Sequence, residues 1–142
     1  MRPTSTLLAL AVLATPLLAS AALAGPAEDM ARARIEAIAA GDVAALTEGS
    51  AEGATLNWVG GPLDGLYATP EAQTEVWTKF TTAQGPQEAT IGDVTEAANP
   101  AGATVVADVT FAGANAVKVL YVLTYRGDAL ASEIWQVNPP AQ

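Results

Sequence analysis

The 142-residue chain contains no cysteine and no histidine. Without cysteine it can form no disulfide, no thiolate metal site and no lipid anchor of the kind attached at cysteine. Without histidine it lacks the commonest general base and the commonest transition-metal ligand. Ser-His-Asp and Cys-His catalytic sites are therefore excluded. No loop is dense enough in acidic residues to supply the roughly six to eight oxygens of a calcium site, so we expect neither a metal nor a cofactor.

Basic residues are also scarce, because six Lys and Arg stand against fifteen Asp and Glu, for a formal net charge of −9. A surface of this sign repels phosphate backbones and anionic lipid headgroups. We expect that the protein binds neither nucleic acid nor a membrane surface.

The N-terminal segment has the three parts of a cleavable secretory leader. Arg2 follows the initiating methionine, an uncharged apolar run extends from Leu7 to Leu18, and the small residues Ala22 and Ala24 fit the A-x-A rule. The run is shorter than the roughly 20 residues that span a bilayer. We predict that residues 1–24 are removed before Gly25, with cleavage after Ala22 as the alternative. A single acidic domain, 25–142, would then act in the periplasm or outside the cell.

Three helices are predicted at the start and middle of this domain. The first begins at Pro26, buries a stripe of apolar residues and stops at Gly41; the stripe is Ala27, Ala31, Ile35 and Ile38. Asp42 can cap a short second helix over 43–48. Thr69 and Pro70 start the third, which ends before Gly85. Its predicted buried face is Ala72, Val76, Trp77, Phe80 and Ala83.

Strand patterns fill most of the remaining chain. We predict strands over 54–59, 88–97, 103–111, 116–126 and 130–137, a short strand or extended loop over 63–68, and a turn over 50–54. Short connections make the last four antiparallel neighbours. The plan is α+β, with helices packed on one face of a curved antiparallel sheet.

Several segments resemble the nuclear transport factor 2-like superfamily, which includes ketosteroid isomerase, scytalone dehydratase and polyketide cyclases. The segment 38–46 (IAAGDVAAL) resembles the junction between the superfamily's first two helices. Residues 54–58 with Gly61 and Gly65 are similar to its first strand pair, 69–71 to its third helix start and 130–137 to its last strand. The resemblance covers the mature chain and implies a cone-shaped fold. That fold hosts enzymes, binders and adaptors alike, so it does not by itself assign an activity.

The isomerase mechanism does not transfer. The positions that resemble its oxyanion tyrosine, its general-base aspartate and its second acid hold Arg34, Trp58 and Tyr121. A tryptophan cannot accept a proton as a general base. We therefore predict no catalytic residue.

The resemblance implies a cavity between the helices and the concave sheet, suited to a small apolar molecule. The residues predicted to bind such a ligand are Asn57, Trp58, Tyr67, Trp77, Tyr121, Glu133 and Trp135. Phe80 and Asp108 are further candidates to line the cavity, and the alternative is that the aromatic residues are plain core. Asp108 and Glu133, on strands predicted to be neighbours, could act as acid and base if one were buried; we expect both to be solvated.

The predicted strand 116–126 is apolar on both faces, since Leu120 and Val122 alternate with Val119, Tyr121 and Leu123. A sheet covered by helices on one side cannot hide both faces, so we expect a homodimer formed through the sheet. The alternative is that Leu120 and Val122 are isolated apolar residues exposed to solvent. Three functions remain open: a domain that binds a small apolar ligand, an isomerase-, dehydratase- or cyclase-type enzyme that uses Glu133, Asp108 or Tyr121, and a protein interaction module whose cone is filled by its own side chains. An empty cavity under the sheet would favour the first two functions, and a filled one would favour the third.

Overall fold

The computed structural model describes residues 25–138, so the predicted leader and the last four residues lie outside the described part. Helix α1 spans Pro26–Ala40 and ends at Gly41, whose φ of 72° is the left-handed conformation that glycine adopts without strain. Helix α2 spans Val43–Thr47 and is capped by the Asp42 side chain, which accepts from the Ala45 N–H. Helix α3 spans Pro70–Gln84 and is capped by Thr69 in the same way. The predicted helices are confirmed.

Six strands form one sheet in the order β2-β1-β6-β5-β4-β3. They are β1 (Ser50–Val59), β2 (Gly65–Tyr67), β3 (Glu88–Asn99), β4 (Gly102–Ala112), β5 (Ala116–Arg126) and β6 (Ala129–Asn138). The last four are antiparallel neighbours, as predicted.

The sheet is mixed rather than wholly antiparallel, because β1 pairs parallel with β6. The predicted turn over 50–54 is also wrong, since β1 begins at Ser50, which pairs with Leu130. Register shifts interrupt the ladders within β1, β3 and β6. Such irregularities bend a sheet and increase its twist, and here they accompany the curvature that lets it wrap around the helices.

Burial alternates between successive residues along β5, along β4 from Thr104 onward and along β6 from Ser132 to Gln136, so the sheet has an inner and an outer face. The inner face meets the helices, with α1 lying against β3 and β4. The predicted stripe of α1 is confirmed, since all four of its residues are buried. The stripe of α3 differs from the prediction at both ends, where Gln73 and Gln84 are buried instead of Ala72 and Ala83.

Those two glutamines hold α3 in place. The Gln73 side-chain amide donates to the carbonyl oxygens of Ala54 (2.8 Å) and Tyr67 (3.0 Å), on β1 and β2. The Gln84 side chain donates to the Asn115 carbonyl (3.0 Å) and accepts from the Asn115 N–H (3.1 Å), in the turn between β4 and β5. Gln73 thus ties the start of α3 to β1 and β2, and Gln84 ties its end to the β4–β5 turn.

Candidate functional site

An aromatic cluster occupies the space between α3 and the inner face of the sheet. Its members are Trp58, Trp77, Phe80, Phe111, Tyr121 and Trp135. Neighbouring ring centroids lie between 4.9 and 6.4 Å apart, mostly tilted or edge-to-face. These are the separations of rings in direct contact. The rings therefore pack on one another in the region where a cavity was predicted.

The sheet register explains part of this packing. Tyr121, Trp135 and Trp58 face one another directly across β5, β6 and β1. Residues directly opposite on adjacent strands have β-carbons only about 5 Å apart. Helix α3 adds Trp77 and Phe80 from above this row.

A charged group sits against this apolar cluster. The Arg34 guanidinium of α1 donates two hydrogen bonds to the Glu133 carboxylate of β6, from Nε to Oε1 at 2.6 Å and from Nη2 to Oε2 at 2.9 Å. The Tyr121 hydroxyl donates to Glu133 Oε1 and accepts from Arg34 Nε at 3.0 Å. The side chains of Arg34 and Glu133 are only 8% and 2% exposed. We call this group the buried Arg34–Glu133–Tyr121 network.

Two further contacts fix the arginine. Its Nη1 donates to the Leu46 carbonyl of α2 at 2.8 Å, and its guanidinium carbon lies 5.9 Å from the centre of the Trp77 ring. The network therefore links α1 and α2 to β5 and β6, with the cation beside an aromatic face that favours it.

The electrostatics of the network keep it in one protonation state. Burial opposes the charge of Arg34, but Tyr121 and Glu133 outweigh burial and raise the pKa of the guanidinium. Burial, reinforced by the charge of Glu133 and opposed by Arg34, raises the pKa of Tyr121 well above its ordinary value. At neutral pH Arg34 stays charged and Tyr121 stays protonated as a donor to Glu133.

This arrangement is poorly suited to proton transfer. Both carboxylate oxygens of Glu133 are already hydrogen-bonded to Arg34, and Tyr121 holds its proton more tightly than a free tyrosine. Asp108 is exposed on the outer face, as expected, and β5 separates its strand from that of Glu133. The hypothesis of an acid and a base on neighbouring strands is thus wrong for this pair, and so is the expectation that Glu133 is solvated.

The structure brings together five of the seven residues predicted to bind a ligand. Trp58, Trp77, Tyr121, Glu133 and Trp135 meet in the interior. The other two lie elsewhere: Asn57 is exposed on the outer face, and Tyr67 is half-buried on the short strand β2, where its hydroxyl donates to the Leu63 carbonyl at 2.7 Å. A ligand-binding role for these seven residues stays a prediction.

Sequence reasoning did not recognise Arg34 as a partner for Glu133. The signal was present, because Arg34 follows Ala31 by three residues and precedes Ile38 by four, which places it beside the apolar stripe of α1. A lone basic residue there, together with a lone acid on the Trp135 face of a strand, is the pattern of a buried ion pair.

The outer face of the sheet carries a second feature, a row of apolar side chains in register across β4, β5, β6 and β2. Val106 faces Val122, Val122 faces Ile134, and Asn57 of β1 lies between Ile134 and Leu66. Leu66 is 66% exposed and Ile134 is 40% exposed. We call Val106, Val122, Ile134 and Leu66 the outer apolar row.

A surface cleft of about 290 Å³ lies beside the buried network. Its walls include Met30, Arg34 and Ala37 of α1. They also include Tyr125 and Leu130, which flank the turn between β5 and β6. Burial raises the pKa of Tyr125 to about 12, and its hydroxyl has no hydrogen-bond partner among residues 25–138. Within the same residues no group of acidic side chains could hold a metal ion, and no helix is long and apolar enough to cross a membrane.

No protein-family model and no curated protein matches the chain. Solved structures do match it. A Xanthomonas campestris protein that carries the name of the calcium/calmodulin dependent protein kinase II association domain aligns with a TM-score of 0.67 at 16% identity, over 83% of this chain and 91% of that one. An NTF2-like protein of unknown function from Cytophaga hutchinsonii gives 0.61 at 13% identity, over 84% and 96%.

A Sinorhizobium meliloti protein named as a polyketide cyclase gives a TM-score of 0.57 at 20% identity, over 76% of this chain and 94% of that one. Identities this low carry the fold and no activity. The chain therefore has the nuclear transport factor 2-like fold, with three helices packed on a six-stranded curved mixed sheet.

Proposed function

We propose that this chain is an exported association domain that pairs with a second copy of itself through the outer face of its sheet. The observation that carries the proposal is the contrast between the two faces. The inner face is closed by its own aromatic rings, whereas the outer face exposes Ile134 and Leu66 of the outer apolar row to solvent.

Several features of the outer face support a second copy as the occupant. The outer apolar row crosses the sheet instead of lying at one edge, and the half-buried Leu120 extends it along β5. Charges of both signs, Asp108 and Lys118, stand near Leu120 on β4 and β5. In a two-fold contact the same patch meets itself, so a mixed-charge border allows opposite charges to face each other. The solvent exposure of large apolar residues in register is typical of association surfaces.

The packing of the interior also supports association over a ligand within the cone. The aromatic rings contact one another where that ligand was predicted to lie. Among proteins that share this fold, the Xanthomonas campestris protein is named as an association domain.

Sedimentation velocity of the exported protein at about 10 μM tests the proposal. We expect a dimer for the natural protein and a monomer for Ile134→Arg or Leu66→Arg, because a guanidinium in the contact would be desolvated without a partner. Ala83→Arg is the matched control, since Ala83 is exposed on α3 at the opposite side of the molecule. Far-UV circular dichroism checks that each variant is folded. A monomeric natural protein, or dimeric variants at both outer positions, would contradict the proposal.

Mass spectrometry of the protein recovered from its source tests export. We expect a chain that begins at Gly25. A mass that still includes residues 1–24 would show that the leader is not removed.

The cleft beside Arg34 favours a second candidate function, the binding of a small, mostly apolar molecule with one polar group. Met30 and Leu130 supply apolar walls, and the unpaired Tyr125 hydroxyl can bind the polar group. Native mass spectrometry of the recovered protein would then show a retained organic molecule. Ala33→Phe, at an exposed position in the cleft wall, should abolish its retention without disturbing the core. A natural protein that carries no such molecule would count against this candidate.

A further inference from the structure

The N-terminal end of the described chain lies against a carboxylate from a distant strand. Glu96 of β3 accepts a hydrogen bond from the backbone N–H of Glu28, in the first turn of α1, at 2.9 Å. The same carboxylate lies so close to the α-carbon of Gly25 that a β-carbon there would overlap it. Gly25 is also the residue before which the sequence predicts cleavage.

We infer that removal of the leader creates an ion pair between the new α-ammonium group of Gly25 and the Glu96 carboxylate. This inference rests on the export proposed above. The backbone nitrogen of Gly25 is bonded, at about 1.5 Å, to the α-carbon on which an added β-carbon would overlap the Glu96 carboxylate. Cleavage would turn that nitrogen from a neutral amide into a cation.

The charges around Gly25 make Glu96 the partner for this cation. The Glu28 side chain is already engaged, because its Oε1 accepts from Arg32 Nε and Nη2 at 3.0 and 2.7 Å. Glu96 has only the single backbone donor of Glu28 among its described hydrogen bonds. An ammonium group at the start of a helix also faces the positive end of the helix dipole, which is unfavourable without a nearby anion. The Glu96 carboxylate offsets both positive charges.

The absence of a side chain at position 25 is a condition of this contact. With any other residue there, the β-carbon would push the flexible Glu96 carboxylate away from the helix end. Leader removal would thus do more than release the domain, because it would add a charged contact between the start of α1 and β3.

The test uses the exported, processed protein and measures how fast acetic anhydride acetylates the α-amine at pH 7, with mass spectrometry as the readout. Pairing with Glu96 favours the protonated, unreactive form, so we expect acetylation to be about three- to tenfold faster in Glu96→Gln. Glutamine keeps an oxygen for the Glu28 N–H but removes the charge. Gly25→Ala should give a similar increase. Glu88→Gln, an exposed position on the same strand, is the control and should leave the rate unchanged.

A second measurement separates pairing from general loss of structure. The unfolding temperature should fall more on Glu96→Gln when the α-amine is free than when it is acetylated. Two results in a protein that begins at Gly25 would overturn this inference and leave export intact. One is an equal fall in unfolding temperature with the free and the acetylated α-amine, and the other is an equal acetylation rate in Glu96→Gln and the natural protein. A protein that begins at another residue would overturn it together with the proposed cleavage site. The dimer measurements above are independent of both results.

Discussion

At the scale of single residues, the most unusual feature is a fully formed ion pair against an aromatic cluster. Removing two charges from water costs several kcal/mol each, and only close contact with further hydrogen bonds offsets this. Arg34 and Glu133 meet that condition, since Tyr121 and the Leu46 carbonyl satisfy further polar groups. The pair gives the packing of α1 and α2 on the sheet one specific geometry.

Breaking the pair from one side should therefore be costly. We expect Arg34→Met to lower the free energy of unfolding by about 3–5 kcal/mol at pH 7, because Glu133 remains buried without a cation. Urea denaturation measures this loss.

The matched control removes both charges. Arg34→Met combined with Glu133→Leu should recover most of the lost stability, because the apolar pair fits the surrounding core. A double variant as unstable as Arg34→Met alone would show that the network's hydrogen bonds to Tyr121 and Leu46, and not the charge pair, dominate.

Tyr125 provides a prediction at alkaline pH. Its folded pKa of about 12 exceeds the ordinary value of about 10, so between these values the unfolded chain releases a proton that the folded protein keeps. Its contribution to stability is therefore complete below pH 10 and is lost as the pH rises toward 12. Denaturation between pH 9 and 11.5 should show falling stability, with a shallower slope in Tyr125→Phe. Tyr121, whose pKa is also raised, contributes to the slope that remains.

Residue patterns predicted which side chains lie in the interior better than they predicted how the buried polar groups pair with one another. Alternation correctly put Glu133 on the same face as Trp135 and put Asp108 on the other. The partner of Glu133 could not be read in this way, because Arg34 lies 99 positions earlier and meets it only when α1 closes over the sheet. Periodicity can place Arg34 beside the apolar stripe of α1 and Glu133 on the Trp135 face of β6, but it cannot show that the two side chains meet.

At the scale of elements, α3 is fixed near both ends by polar side chains in an otherwise apolar interface. Gln73 bonds to β1 and β2, and Gln84 bonds to the turn between β4 and β5. The apolar periodicity predicted that Ala72 and Ala83 are the buried residues at the two ends of α3, because a pattern of apolar residues treats every glutamine as exposed. Hydrogen bonds from these side chains to backbone groups reverse that preference.

Substituting these glutamines should reveal the two attachments separately. We expect Gln73→Leu and Gln84→Leu each to lower the free energy of unfolding by about 1–3 kcal/mol, because each removes two hydrogen bonds that hold α3 to the sheet or its turn. The sites are three helical turns apart, so the double variant should lose the sum of the two, which denaturant unfolding can measure. Ala83→Leu, which contacts neither attachment, is the control. A loss in the double variant well below the sum would mean that the two ends of α3 are coupled.

At the scale of the whole molecule, charge opposes the proposed dimer. A processed chain would carry five basic and fifteen acidic residues, a net charge of −10. Two such copies repel each other, and salt screens this repulsion as the Debye length falls from about 30 Å at 0.01 M to about 8 Å at 0.15 M. We expect the dimer dissociation constant to fall roughly tenfold over this range, as measured by sedimentation equilibrium. A dissociation constant that rises with salt would instead indicate a contact made by ion pairs.

The overall plan was accessible from sequence because each helix has its own start and stop residues and the last four strands follow one another through short turns. The position of β1 in the sheet could not be predicted from sequence, because its neighbour β6 begins about 70 residues later and pairs with it in parallel. The outer apolar row was predicted only on β5. Its continuation through Ile134 and Leu66 depends on that same long-range register.

The place of β6 between β1 and β5 also determines when the domain can be completed. The first hairpin of the chain has no neighbour in the sheet until the final strand arrives, and two strands alone are barely stable in water. A chain delivered from its N-terminus must therefore remain incompletely folded until β6 is free to pair with β1. If a protein crosses a membrane through a narrow channel, late pairing of β6 would keep the chain unfolded enough to pass until transport is nearly finished.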